Sequence, residues 1–356
     1  MRVAAAVVAA VMACACTAGE PGRPASASPS TGAAVAAPSA ASPSPPVAPR
    51  SRPLALTVVA GGPPGALVGV DAARVVVEYP LSGEGTGWLL LVDGPAEVLG
   101  PLRAATPSDA LLAAGFSADL VTTRSTATVI RSMAEADLAV VEEHAVPGGL
   151  LRDPARQAPF NLYAAPEVLR AALPERATPP PWTPPAASAV PGAPSAPAAS
   201  AAPAPAAPSQ GTHSEVTVRA AGASTVTWTW DAAARRWLRT ADGQLQQTAT
   251  GQRVAAGAVL VLEVPPPADR PPVIRDLAGS GAATLLGEAT VTSGTWRQGE
   301  GPLPAVVGAG SRAGAGMPQP TWIHICAAPC VTAPPAATAG AAAAPPASPT
   351  ADATSN

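Results

Sequence analysis

Apolar positions in this chain fall into short runs whose texture changes along its length. In the first half, LALTVV (54–59), RVVVEY (74–79) and GWLLLV (87–92) carry the β-branched and aromatic residues that suit a pleated surface, and they are predicted as strands. SDALLAAG (108–115) and STATVIRSMAEA (125–136) are predicted as helices, with Ser108 and Ser125 as the expected N-caps. ADLVTT (118–123) and LAVVEE (138–143) supply further strands, and APEVLRAAL (165–173) a last helix. Strands separated by helices predict a layered α/β unit.

From Glu215 the pattern shifts to short alternating or apolar runs divided by Gly, Asp and Pro turns. EVTVRA, STVTWTW, RRWLRT, AGAVLVLEV, ATLLGEATVTSGTW and PTWIHIC predict a β-rich domain. The expected fold class is therefore α+β, with an N-terminal layered α/β domain over 54–176 and a β-rich domain over 213–330. Between and around them the chain turns to Pro, Ala and Ser: a stalk at 17–53, a linker at 177–212 and a tail at 331–356. Such tracts have too few large apolar side chains to offset the entropy lost on ordering.

Residues 1–16 are expected to be a lipoprotein signal. Arg2 is followed by VAAAVVAAVMA, an apolar stretch of export-signal length that is too short for a bilayer span. Val11-Met12-Ala13-Cys14 resembles the bacterial lipobox, in which the thiol is acylated and the peptide is cut just before it. Ala13-Cys14-Ala15-Cys16 offers Cys16 as the alternative. Two or more acyl chains give stable anchoring, so the expected location is the outer face of the cell membrane.

Composition narrows the partners. All 21 basic residues are Arg and the net charge is −3. That leaves no basic stripe for a nucleic-acid backbone. No dinucleotide, phosphate-loop, nucleophile-elbow or zinc-protease motif stands in its required context, and no cofactor or metal is expected. Of the three histidines, His144 neighbours Glu142 and Glu143 in a loop, His213 borders the linker, and His324 alternates with Trp322 and Cys326 as one face of a half-exposed strand. Trp228, Trp230, Trp237, Trp296 and Trp322 are either a carbohydrate-stacking face or, with Phe and Tyr nearly absent, the core and rim of the β domain. Cys326 and Cys330 are expected to close a local disulfide outside the cell, with zinc disfavoured because only His324 lies nearby.

ARQAPFNLY (155–163), GPLRAAT (100–106) and the series ADGQLQQTATGQRVAAGAVLVLEV, GSGAATLL, SGTWRQ and PTWIHI resemble the YerB-like two-part lipoprotein family. The resemblance covers about residues 54–175 and 213–326. It implies an α/β-type first domain, a β-rich second domain and a lipid anchor, and no reaction. Against the family pattern, Gly87 and Thr106 stand where Arg is expected, Phe160 stands for His, and Thr122-Thr123-Arg124-Ser125 replaces a His-containing turn.

The polar residues left for a cleft in the first domain are Arg103, Arg156, Asn161 and Glu78. Arginine offers a planar fork to carboxylate or phosphate. The competing reading has Arg156 and Asn161 tying down their own loop and Arg103 paired to Glu78. The expected role is a binding or scaffolding module for a cell-wall polymer or another envelope protein. The rival is an enzyme acting on wall glycan or a lipid-linked precursor, which would require these residues to meet in one deep cleft.

Overall fold

Strand alternation in this protein builds two apolar cores, one on each face of a large sheet. In β1 (Leu54–Val59) and β3 (Thr86–Val92), Leu54, Leu56, Val58, Trp88, Leu90 and Val92 point to one core, and Ala55, Leu89 and Leu91 to the other. β2 (Val75–Pro80), β14 (Ala258–Val264) and β18 (Thr321–Ala327) divide in the same way. Side chains two apart share a face, and these strands are buried on both sides, which is why they read as near-continuous apolar runs.

The computed structural model describes residues 52–81, 85–174, 210–212, 214–219, 224–265, 277, 279–298, 305–307 and 318–332. Cys14, Cys16 and His213, with most of the stalk, linker and tail, lie outside them. Among the described residues the large sheet has eleven strands. Its order is β17 (Ala305–Val307), β16 (Thr290–Arg297), β15 (Ser280–Leu286), β14, β18, β2, β3, β1, β4 (Asp119–Val121) and β5 (Val140–Val141), with β8 (Gln210–Thr212) beside β16. The strands of the two stretches separated by the linker thus share a sheet. β18 lies between β14 and β2 and runs parallel to both.

One face is covered by α1 (Pro107–Gly115) and α2 (Ala127–Glu135), which bury Leu112, Ala113, Val129 and Met133. Over the other lies a six-stranded sheet of β9 (Glu215–Arg219), β10 (Thr225–Asp231), β11 (Arg236–Ala241), β12 (Gln244–Leu245), β13 (Ala255–Ala256) and β19 (Val331–Thr332). Its Val216, Val218, Trp228 and Trp237 join Trp88 and Trp322 in one core. α3 (Pro166–Ala172) and the β6–β7 hairpin (Leu150–Arg152, Leu162–Ala164) complete that layer. The fold is α+β.

Local details depart from the sequence reading for identifiable reasons. The helix caps are Thr106 and Thr126, not Ser108 and Ser125. Pro107 occupies the first helical turn, and Thr106 and Asp109 form a reciprocal capping box. The Ser125 amide and hydroxyl go instead to Glu142. His324 is 1% exposed rather than half-exposed, because its strand is interior to the sheet. Trp228, Trp237, Trp296 and Trp322 are fully buried core residues and Trp230 is half-buried.

Candidate functional site

Arg103 follows Leu102 on a segment that bonds to β1 and β7, through its own amide to the Thr57 carbonyl and the Leu102 amide to the Leu162 carbonyl. Its guanidinium grips Asp109 with both terminal nitrogens at 2.8 Å and donates to the Tyr79 hydroxyl at 2.9 Å. The Tyr79 hydroxyl in turn donates to Asp109. Burial, and then the Asp109 charge, push the Tyr79 phenol up, so it stays a donor. A Cβ at Gly87 would lie 2.7 Å from an Arg103 terminal nitrogen and 2.7 Å from Leu81. Glycine at that point leaves room for the fork. Arg103 therefore pairs with Asp109 rather than with Glu78.

Glu78 is held elsewhere, in a sealed network between the two sheets. Arg239 of β11 donates to its two oxygens at 2.8 and 3.0 Å, and the Trp322 indole donates at 2.9 Å. Arg239 also bonds Gln246 and lies 5.0 Å from the Trp88 ring centroid and 5.2 Å from that of Trp322. Burial alone would raise the Glu78 carboxyl; Arg239, His324 and the indole outweigh it and hold the group below the ordinary carboxylate range. Burial, opposed by Glu78 and reinforced by Arg239, lowers His324 to about 4. The ring is neutral at pH 7, and its Nε2 accepts from the Trp228 indole at 2.9 Å. That bond leaves the ring proton on Nδ1, which faces Glu78 at 3.5 Å. Glu78 and Arg239 are each 3% exposed. The ion pair and His324 are closed off from solvent, with Gln246 half-buried at the edge of the network.

Arg156 and Asn161 lie on the loop between β6 and β7. Arg156 pairs with Asp153 at 2.9 Å and lies 5.7 Å from the Tyr163 ring centroid. Asn161 accepts from Arg152, which also holds Glu143. His144 is exposed with positive φ in the neighbouring turn. Cys326 and Cys330 form the expected disulfide, which links β18 of the large sheet to the turn leading into β19 of the small one. Glu263 accepts from the amides of Cys330 and Val331 at 2.6 and 3.2 Å and fixes that turn.

An open cleft of about 370 Å³ lies where residues 68–72 and 96–98 meet residues 248–252. Gly69, at φ +69°, lets the first segment lie against the second; a Cβ there would meet the Val98 carbonyl at 2.5 Å. The Val68 and Gly100 main chains exchange hydrogen bonds of 2.9 and 3.2 Å. The opposite wall is a turn closed by the Thr248 amide on the Gln252 carbonyl at 2.8 Å, and docked by the Ala249 amide on the Leu67 carbonyl at 2.7 Å. Asp71, Glu97, Thr250 and Gln252 are exposed along this cleft, with Val68 and Val98 between them. Among the described residues no arginine or histidine lines it.

None of Arg103, Arg156, Asn161 and Glu78 lines the cleft. The four occupy three separate places, and only Arg156 and Asn161 share a loop. Arg239 carried one legible signal, since it alternates with buried Trp237 on a strand and so must face inward. Asp71 and Glu97 carried none, being single acids in turns. Among the described residues no group of three or more His, Cys, Asp or Glu side chains converges to hold a metal ion. Nor is any helix among them long and apolar enough to cross a membrane.

Comparison with known proteins agrees with this architecture. Residues 44–179 match the family described as "Protein of unknown function (DUF3048) N-terminal domain", and residues 216–314 match the corresponding C-terminal domain. No curated protein matches. The crystal structure of YerB from Bacillus subtilis has the same fold, with a TM-score of 0.58 at 20% identity, covering 78% of this chain and 91% of that one. The chain belongs to this YerB-like family of two-part proteins.

Proposed function

We propose that the protein is a lipid-anchored binding module on the outer face of the cell membrane, holding a cell-wall polymer or envelope partner at the cleft between residues 68–72, 96–98 and 248–252. One observation carries the binding reading. The polar side chains that could have formed a reactive centre are taken up in internal pairs, whereas the cleft keeps free acceptors on a rigid seam. A volume of about 370 Å³ is in the range of small-ligand sites, which run from roughly 300 to 1,000 Å³. The anchor rests on the lipobox-like VMAC, with Cys14 as the acylated thiol and Cys16 as the alternative.

The anchor is tested by intact mass of the full chain recovered from bacterial membranes. The expected species lacks residues 1–13 and carries acyl chains, and Cys14→Ser abolishes it; cleavage before Cys16 would move the site by two residues. An unacylated chain still bearing residues 1–13, or recovery from the cytosol, overturns the anchor. Co-sedimentation of the full chain with purified wall sacculi tests the binding reading.

A further inference from the structure

The cleft has a chemical bias that its outline alone does not convey. Among the described residues every carboxylate is held by an arginine, a hydroxyl or a backbone amide except Asp71, Glu97, Glu135 and Glu215. Two of these four, Asp71 and Glu97, line this cleft. Facing them are Thr250, whose hydroxyl bonds that of Thr248, and the exposed amide of Gln252, and among the described residues no cationic side chain joins them. A ligand with a carboxylate or phosphate would meet acceptors without a countercharge. A bare divalent ion is a poor fit, because Ca²⁺ takes about six to eight oxygens and two carboxylates do not converge with a third acidic or His ligand. Among the described residues no aromatic side chain lines the walls, so ring stacking finds no platform there.

We infer that this cleft selects a ligand carrying a protonated primary amine on a hydroxyl- or amide-bearing backbone, with Asp71 and Glu97 receiving the ammonium. The inference rests on the binding-module reading above and specifies its ligand. Amino sugars and peptides with a free amine share this chemistry, and the test separates them.

Full-chain protein is titrated calorimetrically at low salt with chitotetraose and with a lysine-containing tetrapeptide amide, and with the fully N-acetylated form of each. At least one free-amine probe is expected to bind, about ten-fold more tightly than its acetylated form. Which of the two binds identifies the source as glycan or peptide. The Asp71→Asn/Glu97→Gln pair is expected to weaken that binding about ten-fold. Glu135→Gln/Glu215→Gln removes the same charge from the other two free carboxylates, and should leave binding unchanged. All four positions are exposed, so both variants keep the fold, which circular dichroism checks.

Equal binding of free and acetylated probes, equal weakening by both variant pairs, or no binding of either free-amine probe overturns the inference. If the chain still co-sediments with sacculi in those cases, the amine selectivity falls while the binding module stands. If it does not, both fall.

Discussion

Replacing Arg239 by methionine removes the guanidinium that joins β11 to β2 while keeping an unbranched apolar stem. Glu78 loses both bonds from one Arg239 terminal nitrogen and keeps the Trp322 indole at 2.9 Å, with His324 Nδ1 at 3.5 Å. Because both partners are 3% exposed, neither can recover hydration without opening the core. Breaking a buried ion pair on one side costs about 3–5 kcal/mol, a large part of a typical total stability of roughly 5–15 kcal/mol. At about 2–4 °C per kcal/mol for a body of this size, Tm should fall by roughly 6–20 °C. The Glu78→Gln/Arg239→Met double variant removes the stranded charge while leaving an amide oxygen for the Trp322 indole. It should be more stable than Arg239→Met alone, and the cycle with Glu78→Gln should show a coupling of about 1–3 kcal/mol. Urea unfolding followed by tryptophan fluorescence reads this directly, since Trp88, Trp228 and Trp322 surround the pair. A cost below about 1 kcal/mol for Arg239→Met, or strictly additive effects, would refute the claim that this pair ties the sheets together.

His324 gives a pH dependence of definite sign. Its folded pKa of about 4 lies below the unfolded value near 6.5, so the unfolded chain binds more protons between these limits and stability falls as pH drops from about 6.5 toward 4. At about 1.4 kcal/mol per pH unit the loss across that window is roughly 3 kcal/mol, and His324→Gln should flatten it in urea midpoints taken from pH 7 to 4. Gly87→Ala pushes a methyl against Arg103 and Leu81 and should cost about 1–3 kcal/mol; an unchanged Tm would show that the fork has slack. Thr106→Ala removes the cap of α1 at about 1 kcal/mol, with faster amide exchange confined to its first turn. Opening the Cys326–Cys330 bridge with reductant or by Cys330→Ser should cost roughly 2 kcal/mol for so short a loop, and should unprotect the amides of β19 first.

How much of this was legible in the sequence depended on how local each determinant is. Alternation identifies most of the strands, because Leu89 and Leu90 must point to opposite faces wherever the strand lies. The disulfide is readable because its cysteines are four apart in an otherwise cysteine-poor body. The neighbours of β18 are not readable: nothing within PTWIHIC says that it pairs with β2 of the first half. The Glu78–Arg239 pair joins residues 161 apart, so neither side chain announces the other. Arg103 was singled out, but its partner Asp109 was hidden inside a helix read only for its apolar face. The cleft escapes notice for the same reason, since its two walls come from turns in different halves of the chain.

The position of β18 constrains how the protein can be made. A central strand of the large sheet is contributed by residues 321–327, while its neighbour β2 begins at Val75. Until that late segment emerges, β2 offers an open row of backbone donors and acceptors to any passing extended chain. Closure over so long a stretch is slow, because distant pairings form only after the entropy of the intervening loop has been overcome. Truncation between Val264 and Thr321 therefore leaves a sheet with a missing middle rather than a shortened end, and an aggregation-prone fragment rather than a smaller folded protein.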